Sequence, residues 1–272
     1  MCLAPRVRST LSAVRPIFAV LGLGEAGSRI AADLAAGGAE VRGYDPASGA
    51  KPAGVVRVPG AAAAVAGCDV VLSLNSAAAA RRAADGARTS LRPGTVYADL
   101  NTAPPALKRE LASLLGEAAF ADVALLGSVP ARGVRTPALA SGGGARSFAG
   151  ALTPLGMPVE IVSERAGDAA ARKLLRSVFM KGLAASAIES LDAASAAGQL
   201  EWLESDIAGV IGEELLQRLV DGSRRHAVRR IDEMEAAAEL LVELGVDPQI
   251  ARASASVLAR LAAESAEPAA LE

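Results

Sequence analysis

Residues 17–45 read IFAVLGLGEAGSRIAADLAAGGAEVRGYD: an apolar run, a glycine-rich turn, a helical pattern, a second apolar run and an acidic stop. Gly22, Gly24 and Gly27 set out the spacing G-x-G-x-x-G, and each glycine has a physical task. Gly22 permits a tight turn after the apolar run. Gly24 lets the backbone approach a pyrophosphate, and Gly27 lets the helix pack close to the strand. Free N–H groups at the start of the helix then face phosphate oxygens, so Gly22, Leu23, Gly24, Glu25, Ala26 and Gly27 form the expected cradle. Asp45 places a carboxylate where a ribose 2′-hydroxyl can donate to it. The stretch reads as a dinucleotide site; an ordinary strand-turn-helix has no need of the acidic stop.

The same alternation continues outward to about residue 163. Candidate strands are 18–21, 40–44, 55–58, 70–74, 96–99, 120–123, 138–140 and 159–162, with helical stretches between most of them. That pattern implies a parallel sheet covered on both faces, with ligands at the carboxyl ends of its strands. Asn75 and Ser76, Asn101 and Thr102, and the 124–128 stretch fall at those ends and join the candidate site. Beyond Arg165 no strand pattern returns. Helices are expected over 167–197, 204–219, 223–244 and 248–265, with Leu174, Val178, Leu183, Ile188 and Leu191 as core positions of the first. Gly245 and Pro248 punctuate the last pair. The expected fold is therefore α/β: a Rossmann-type doubly wound parallel sheet over 17–163, then a smaller all-α domain over 164–272 for substrate binding and dimerisation. Residues 1–16 are expected to be a disordered extension.

Composition bounds the partners. The chain of 272 residues is 51% hydrophobic, enough for a substantial core, and its net charge of −2 gives no reason to expect nucleic acid. Two cysteines, Cys2 and Cys68, build neither a disulfide framework nor a metal set, which fits a reducing cytoplasm. Apolar runs are broken by glycine and charge well before the length of a membrane span. A single histidine, His226, without a cysteine or carboxylate cluster at ligand spacing, argues for no metal.

Four stretches carry a resemblance to the β-hydroxyacid dehydrogenase superfamily. The first is the glycine-rich segment. The second, VYADLNTAPP at 96–105, is similar to a D-x-S-T-x-x-P stretch whose threonine lies near the nicotinamide; Asn101 replaces the usual serine and Thr102 is retained. The third, FADVALLGSVPARG at 120–133, stands in place of a D-A-P-V-S-G-G substrate loop, with Leu126, Gly127 and Ser128 where Ser-Gly-Gly is usual. The fourth, GDAAARKLLRSVFMKGL at 167–183, resembles the catalytic G-x-x-x-K-x-x-x-N; Lys173 matches the lysine and Ser177 takes the place of the asparagine. The nearby Lys181 and the 225–245 stretch resemble a subgroup labelled 6-phosphogluconate-dehydrogenase-like, with a short C-terminal domain.

The resemblance implies NAD(P)-dependent hydride transfer to or from a small anionic hydroxy acid or related alcohol. Lys173 is then the proton-transfer group, tuned by Ser177, and Thr102, Gly127 and Ser128 orient the reacting centre. Lys181 lies just over two helical turns beyond Lys173 and can reach the same cleft. On the next helices His226, Arg229, Arg230 and Glu233 share a face, either as a solvated charged surface or as a rim for an anionic substrate. Val228, Ile231, Glu235, Ala238 and Leu241 trace a second, mostly core-facing stripe. Asp45 favours NAD over NADP, although Lys51 or Arg29 could reach a 2′-phosphate. The rivals are an imine or ketone reductase, against which Lys173 argues, and a dinucleotide-binding sensor without turnover. A homodimer through the helical domain is expected, because about a hundred residues bury a small core by themselves.

Overall fold

The computed structural model describes residues 16–116 and 118–266; residues 1–15, most of the expected extension, lie outside them. Eight strands are present: β1 (Ile17–Leu21), β2 (Glu40–Tyr44), β3 (Val56–Arg57), β4 (Val70–Ser73), β5 (Val96–Asp99), β6 (Ala119–Leu125), β7 (Ala138–Ser141) and β8 (Val159–Ser163). They form one sheet in the order β3-β2-β1-β4-β5-β6-β7-β8. Between them lie α1 (Glu25–Ala36), α2 (Ala61–Val65), α3 (Ala77–Arg88), α4 (Pro105–Leu115), α5 (Val129–Arg132) and α6 (Ala145–Leu152). Chain progression reverses between β1 and β4, which opens a crevice at the carboxyl ends of those two strands.

The central strands β1 and β4–β7 are buried on both faces because helices cover both. Phe18 and Val20 pack with Ile30 and Leu34 of α1 and Phe148 of α6. Ala19 and Leu21, one residue out of phase, pack with Ala64 of α2, Ala80 and Ala84 of α3 and Leu111 of α4. The sheet departs from the expected parallel arrangement at one joint. β7 runs antiparallel to β6, pairing Asp122 with Ser141 and Leu125 with Ala138, while β8 is parallel to β7. The connection between β6 and β7 holds only a short helix and a 3₁₀ turn, with no helix long enough to carry the chain back across the sheet, so the chain turns back on itself.

After β8 come α7 (Asp168–Ala196), α8 (Leu200–Ile211), α9 (Glu213–Arg225), α10 (Ala227–Glu243) and α11 (Gln249–Ala266). The two helices expected over 204–219 and 223–244 are three, because the chain breaks at Gly212, whose φ is +86°, and again at His226. In α7, Leu174 and Ile188 are buried as expected, and Val178, Leu183 and Leu191 are half-buried. Of the expected α10 stripe, Ile231, Ala238 and Leu241 pack half-buried against the helical core, and two residues do not. Val228 is 68% exposed and Glu235 is exposed, while Met234, Ala236, Ala237 and Leu240 are buried with Leu174, Ala251 and Leu258. α10 packs against both α7 and α11, so a single stripe does not describe its buried surface. Among the described residues no helix is long and apolar enough to cross a membrane.

Candidate active site

The glycine turn has the geometry its spacing requires. Gly22 has φ +104°, and a Cβ there would run into the Leu74 carbonyl; a Cβ on Gly27 would run into the Gly22 carbonyl. At Gly24 nothing lies within 4 Å of that position, leaving room beside the start of α1. The Leu23 N–H donates to Asp45 Oδ2 at 2.7 Å, and Ala47 and Ser48 donate to Oδ1 at 2.8 and 2.9 Å. Burial pushes the Asp45 carboxyl up, but these three donors and the Arg57 charge outweigh it and hold it below the usual carboxylate range.

Arg57 donates to the Asp45 and Ala50 carbonyls at 2.7 and 2.9 Å, so it is the cation fastened to this loop. Arg29 is engaged elsewhere, with Asp33 and the Pro130 carbonyl at 3.1 Å each, and Lys51 is exposed. Asn75 donates to the Leu21 carbonyl at 3.1 Å, and Ser76 caps α3 by accepting from the Ala79 N–H at 3.3 Å. Both shape the crevice from the β4 side.

Across the crevice, Lys173 rises from the first turns of α7 and donates to Thr102 Oγ1 at 2.7 Å. Thr102 follows β5, so this bond joins the sheet to the helical region. Burial brings the Lys173 pKa down to about 8; the Glu233 carboxylate opposes the shift, and the charges of Lys181, Arg229 and Lys108 add to it. Lys173 and Thr102 line a small cavity with Asn101, Asp122 and Ala124. Asn101 donates to Asp99 Oδ1 and, at 3.2 and 3.0 Å, to Ser73 Oγ and Asn75 Oδ1, while its own buried Oδ1 has no hydrogen-bond partner among the described residues.

One turn beyond Lys173, Ser177 donates to Glu233 Oε1, and Lys181 reaches the same oxygen at 3.2 Å. Only 11% of the Glu233 side chain and 14% of the Lys181 side chain is exposed, so this is a buried pair and not a solvated charged face. Burial pushes the Glu233 carboxyl up; the Lys181 and Lys173 charges and the Ser177 hydroxyl outweigh it, and it lies below its ordinary value. Burial likewise lowers Lys181, against the pull of Glu233.

The remaining expected residues make no hydrogen bond to Lys173 or Thr102 among the described residues. Gly127 and Ser128 are exposed at the start of α5, outside the Lys173 cavity, and Leu126 packs instead beside Ala124 and Ala169. His226 sits at the junction of α9 and α10, where burial and the charges of Arg229 and Arg230 push it down against Glu25 of α1. A histidine pushed below 6.5 is mostly neutral at pH 7. Arg229 is exposed, and Arg230 donates to Ser223 Oγ at 2.7 Å.

Three buried charges went unread in the sequence: Asp99, Lys108 and Asp122, each 0% exposed. A signal existed for Lys108, which falls on the buried α4 stripe of Pro105, Leu111 and Leu115.

Comparison with known proteins bears on the family and the fold. Residues 17–151 match the family described as the NAD binding domain of 6-phosphogluconate dehydrogenase, and residues 194–261 match DUF1932, a domain of unknown function. The solved structure of a conserved hypothetical protein from Sinorhizobium meliloti 1021 is 31% identical, with a TM-score of 0.74 over 96% of this chain and 92% of that one. The Mycobacterium tuberculosis 3-hydroxyisobutyrate dehydrogenase is 22% identical, with a TM-score of 0.78 over 92% of this chain and 94% of that one, a likeness of fold. An uncharacterized 28.5 kDa protein of Methanothermus fervidus is 26% identical over 156 residues, which span 56% of this chain and 61% of that relative. Residues 17–151 belong to the family described as the NAD binding domain of 6-phosphogluconate dehydrogenase, a DUF1932 domain follows them, and the whole has the fold of 3-hydroxyisobutyrate dehydrogenase.

Proposed function

We propose that this chain interconverts a small anionic hydroxy acid, or a related alcohol, and its carbonyl form, with Lys173 as general acid and base. The observation that carries the proposal is the Lys173–Thr102 contact of 2.7 Å, made by an ammonium whose pKa burial has brought to about 8. NAD is the preferred cofactor, because the ionised Asp45 carboxylate accepts a 2′-hydroxyl and repels a 2′-phosphate. The residues fit the cofactor: the open face at Gly24 admits the pyrophosphate, and the unpartnered Asn101 Oδ1 offers an acceptor beside Thr102. When bound, the nicotinamide supplies or accepts the hydride.

The protein's own groups do the rest. In reduction the Lys173 ammonium gives a proton to the oxygen of the former carbonyl; in oxidation the neutral amine removes it. Thr102 fixes the direction of that ammonium. Arg229, exposed and near enough to depress Lys173, offers a guanidinium to the substrate carboxylate. The proposal divides the chain into a dinucleotide-binding unit over 17–163 and a helical unit over 164–272. It pairs two copies through α7 and α8, where Phe179 is 70% exposed, Trp202 is 64% exposed and α8 buries none of its residues.

The test is oxidation of NADH and NADPH against a panel of keto acids, ketones and cyclic imines, followed by Lys173→Ala. The expected loss for that variant is about 10²- to 10⁴-fold in kcat, with NADH affinity retained. Full turnover by Lys173→Ala on an identified substrate would remove Lys173 from the chemistry. Cofactor binding without turnover on any class would favour the sensor.

A further inference from the structure

Asp99 at the end of β5, Lys108 in α4 and Asp122 in β6 meet with no solvent access. Lysine and aspartate are almost never fully buried unless paired, and here the pairing is extensive. The Lys108 ammonium contacts Asp99 Oδ2 at 2.7 Å and Asp122 Oδ1 at 3.3 Å, and it also donates to the carbonyls of Asp99 and Asn101 at 3.0 and 2.8 Å. Asp122 Oδ2 turns the other way, accepting from Ser141 Oγ at 3.0 Å and from the N–H groups of Gly167 and Ala170 at 3.1 and 3.0 Å. Ser141 Oγ in turn accepts from the Ala169 N–H at 3.0 Å. The cluster therefore grips the residue before Thr102 on one side and the opening turn of α7 on the other. Those are the supports of the two partners in the Lys173–Thr102 contact.

We propose that Lys108 and Asp122 are positioning residues for the reaction: they lock the Asn101–Thr102 loop to the start of α7, so that Lys173 is held where its proton is exchanged. The proposal rests on reading Lys173 as the acid and base. An apolar residue of similar volume often stabilises a core as well as a buried ion pair does, so stability alone does not account for this cluster. A shift of α7 by one ångström would break the Lys173–Thr102 bond, and misplacement on that scale is costly to catalysis.

The experiment compares the wild-type chain with Lys108→Met/Asp122→Asn, which keeps the net charge of the cluster, and with Ser141→Ala, a milder change that leaves every ion pair in place. Three quantities are read: cooperative thermal unfolding, NADH binding by fluorescence, and the pH dependence of Lys173 acetylation by acetic anhydride, followed by peptide mass spectrometry. The expected result is folded protein, NADH affinity within about twofold, and an acetylation midpoint that rises in both variants from near 8 towards the range of a free lysine, about 10.4; the rise in Ser141→Ala, which keeps the Lys108 charge that itself depresses Lys173, separates positioning from direct loss of that charge. If the double variant does not fold, Ser141→Ala decides by the same readout. A folded, NADH-binding variant whose Lys173 titrates as in the wild type overturns the proposal. Acetylation needs no turnover, so this outcome is separate from a failure of Lys173→Ala to lose activity.

Discussion

Lys173 and Lys108 are the same residue type on helices that pack against the same strand, β6, and the protein uses them differently. Lys108 faces two carboxylates, which overcome burial and raise its pKa; Lys173 has one carboxylate partner and three cations near it, and its pKa falls to about 8. A group near 8 is neutral above that pH and protonated below it. Oxidation should therefore gain rate as pH rises through about 8, and reduction should lose it, in kcat profiles measured on an identified substrate. Glu233→Gln removes the one anion that holds Lys173 up, so the midpoint should move further down. An upward or absent shift would show that Glu233 does not act on Lys173. Resemblance to a family's catalytic stretch made Lys173 legible in the sequence. Glu233 was visible only as one charge on a helical face, because its burial depends on where α7 lies.

At the scale of elements, the strand-turn-helix of the cofactor site is set by local sterics. Gly27→Val should weaken NADH binding at least tenfold, because its side chain must displace the Gly22 carbonyl; near-native binding in a fluorescence titration would contradict the close packing seen there. The sheet strands were readable because apolar runs buried on both faces leave a strong signal. The antiparallel β7 was not, since strand direction depends on how the chain returns and not on side-chain pattern. The helices after β8 were readable in number only approximately. Gly212 and His226 interrupt patterns that otherwise continue, and helices with two neighbours bury more than one stripe. Met234→Ala, in the joint between α10 and its neighbours, should cost about 2–5 kcal/mol in chemical denaturation.

For the whole molecule, the proposed pairing of two copies runs through α7 and α8, and α8 buries none of its own residues. Phe179→Glu with Trp202→Glu should convert a dimer to monomers in sedimentation velocity, with the cofactor site intact; an unchanged sedimentation coefficient would move the interface elsewhere. What the sequence alone determined was the cofactor turn, the α/β class, and the order of strands and helices along the chain. All of these rest on short-range spacing, which the chain carries in its own period; Lys173 was named by its resemblance to a family motif. The tertiary structure decided what stands around that lysine: Thr102 from the loop after β5, Glu233 from α10, and a buried Lys108–Asp99–Asp122 cluster drawn from α4, β5 and β6. It also left Gly127 and Ser128 exposed at the start of α5. Those relations join residues far apart in the chain, and burial, which sets their charge states, exists only once the elements have packed.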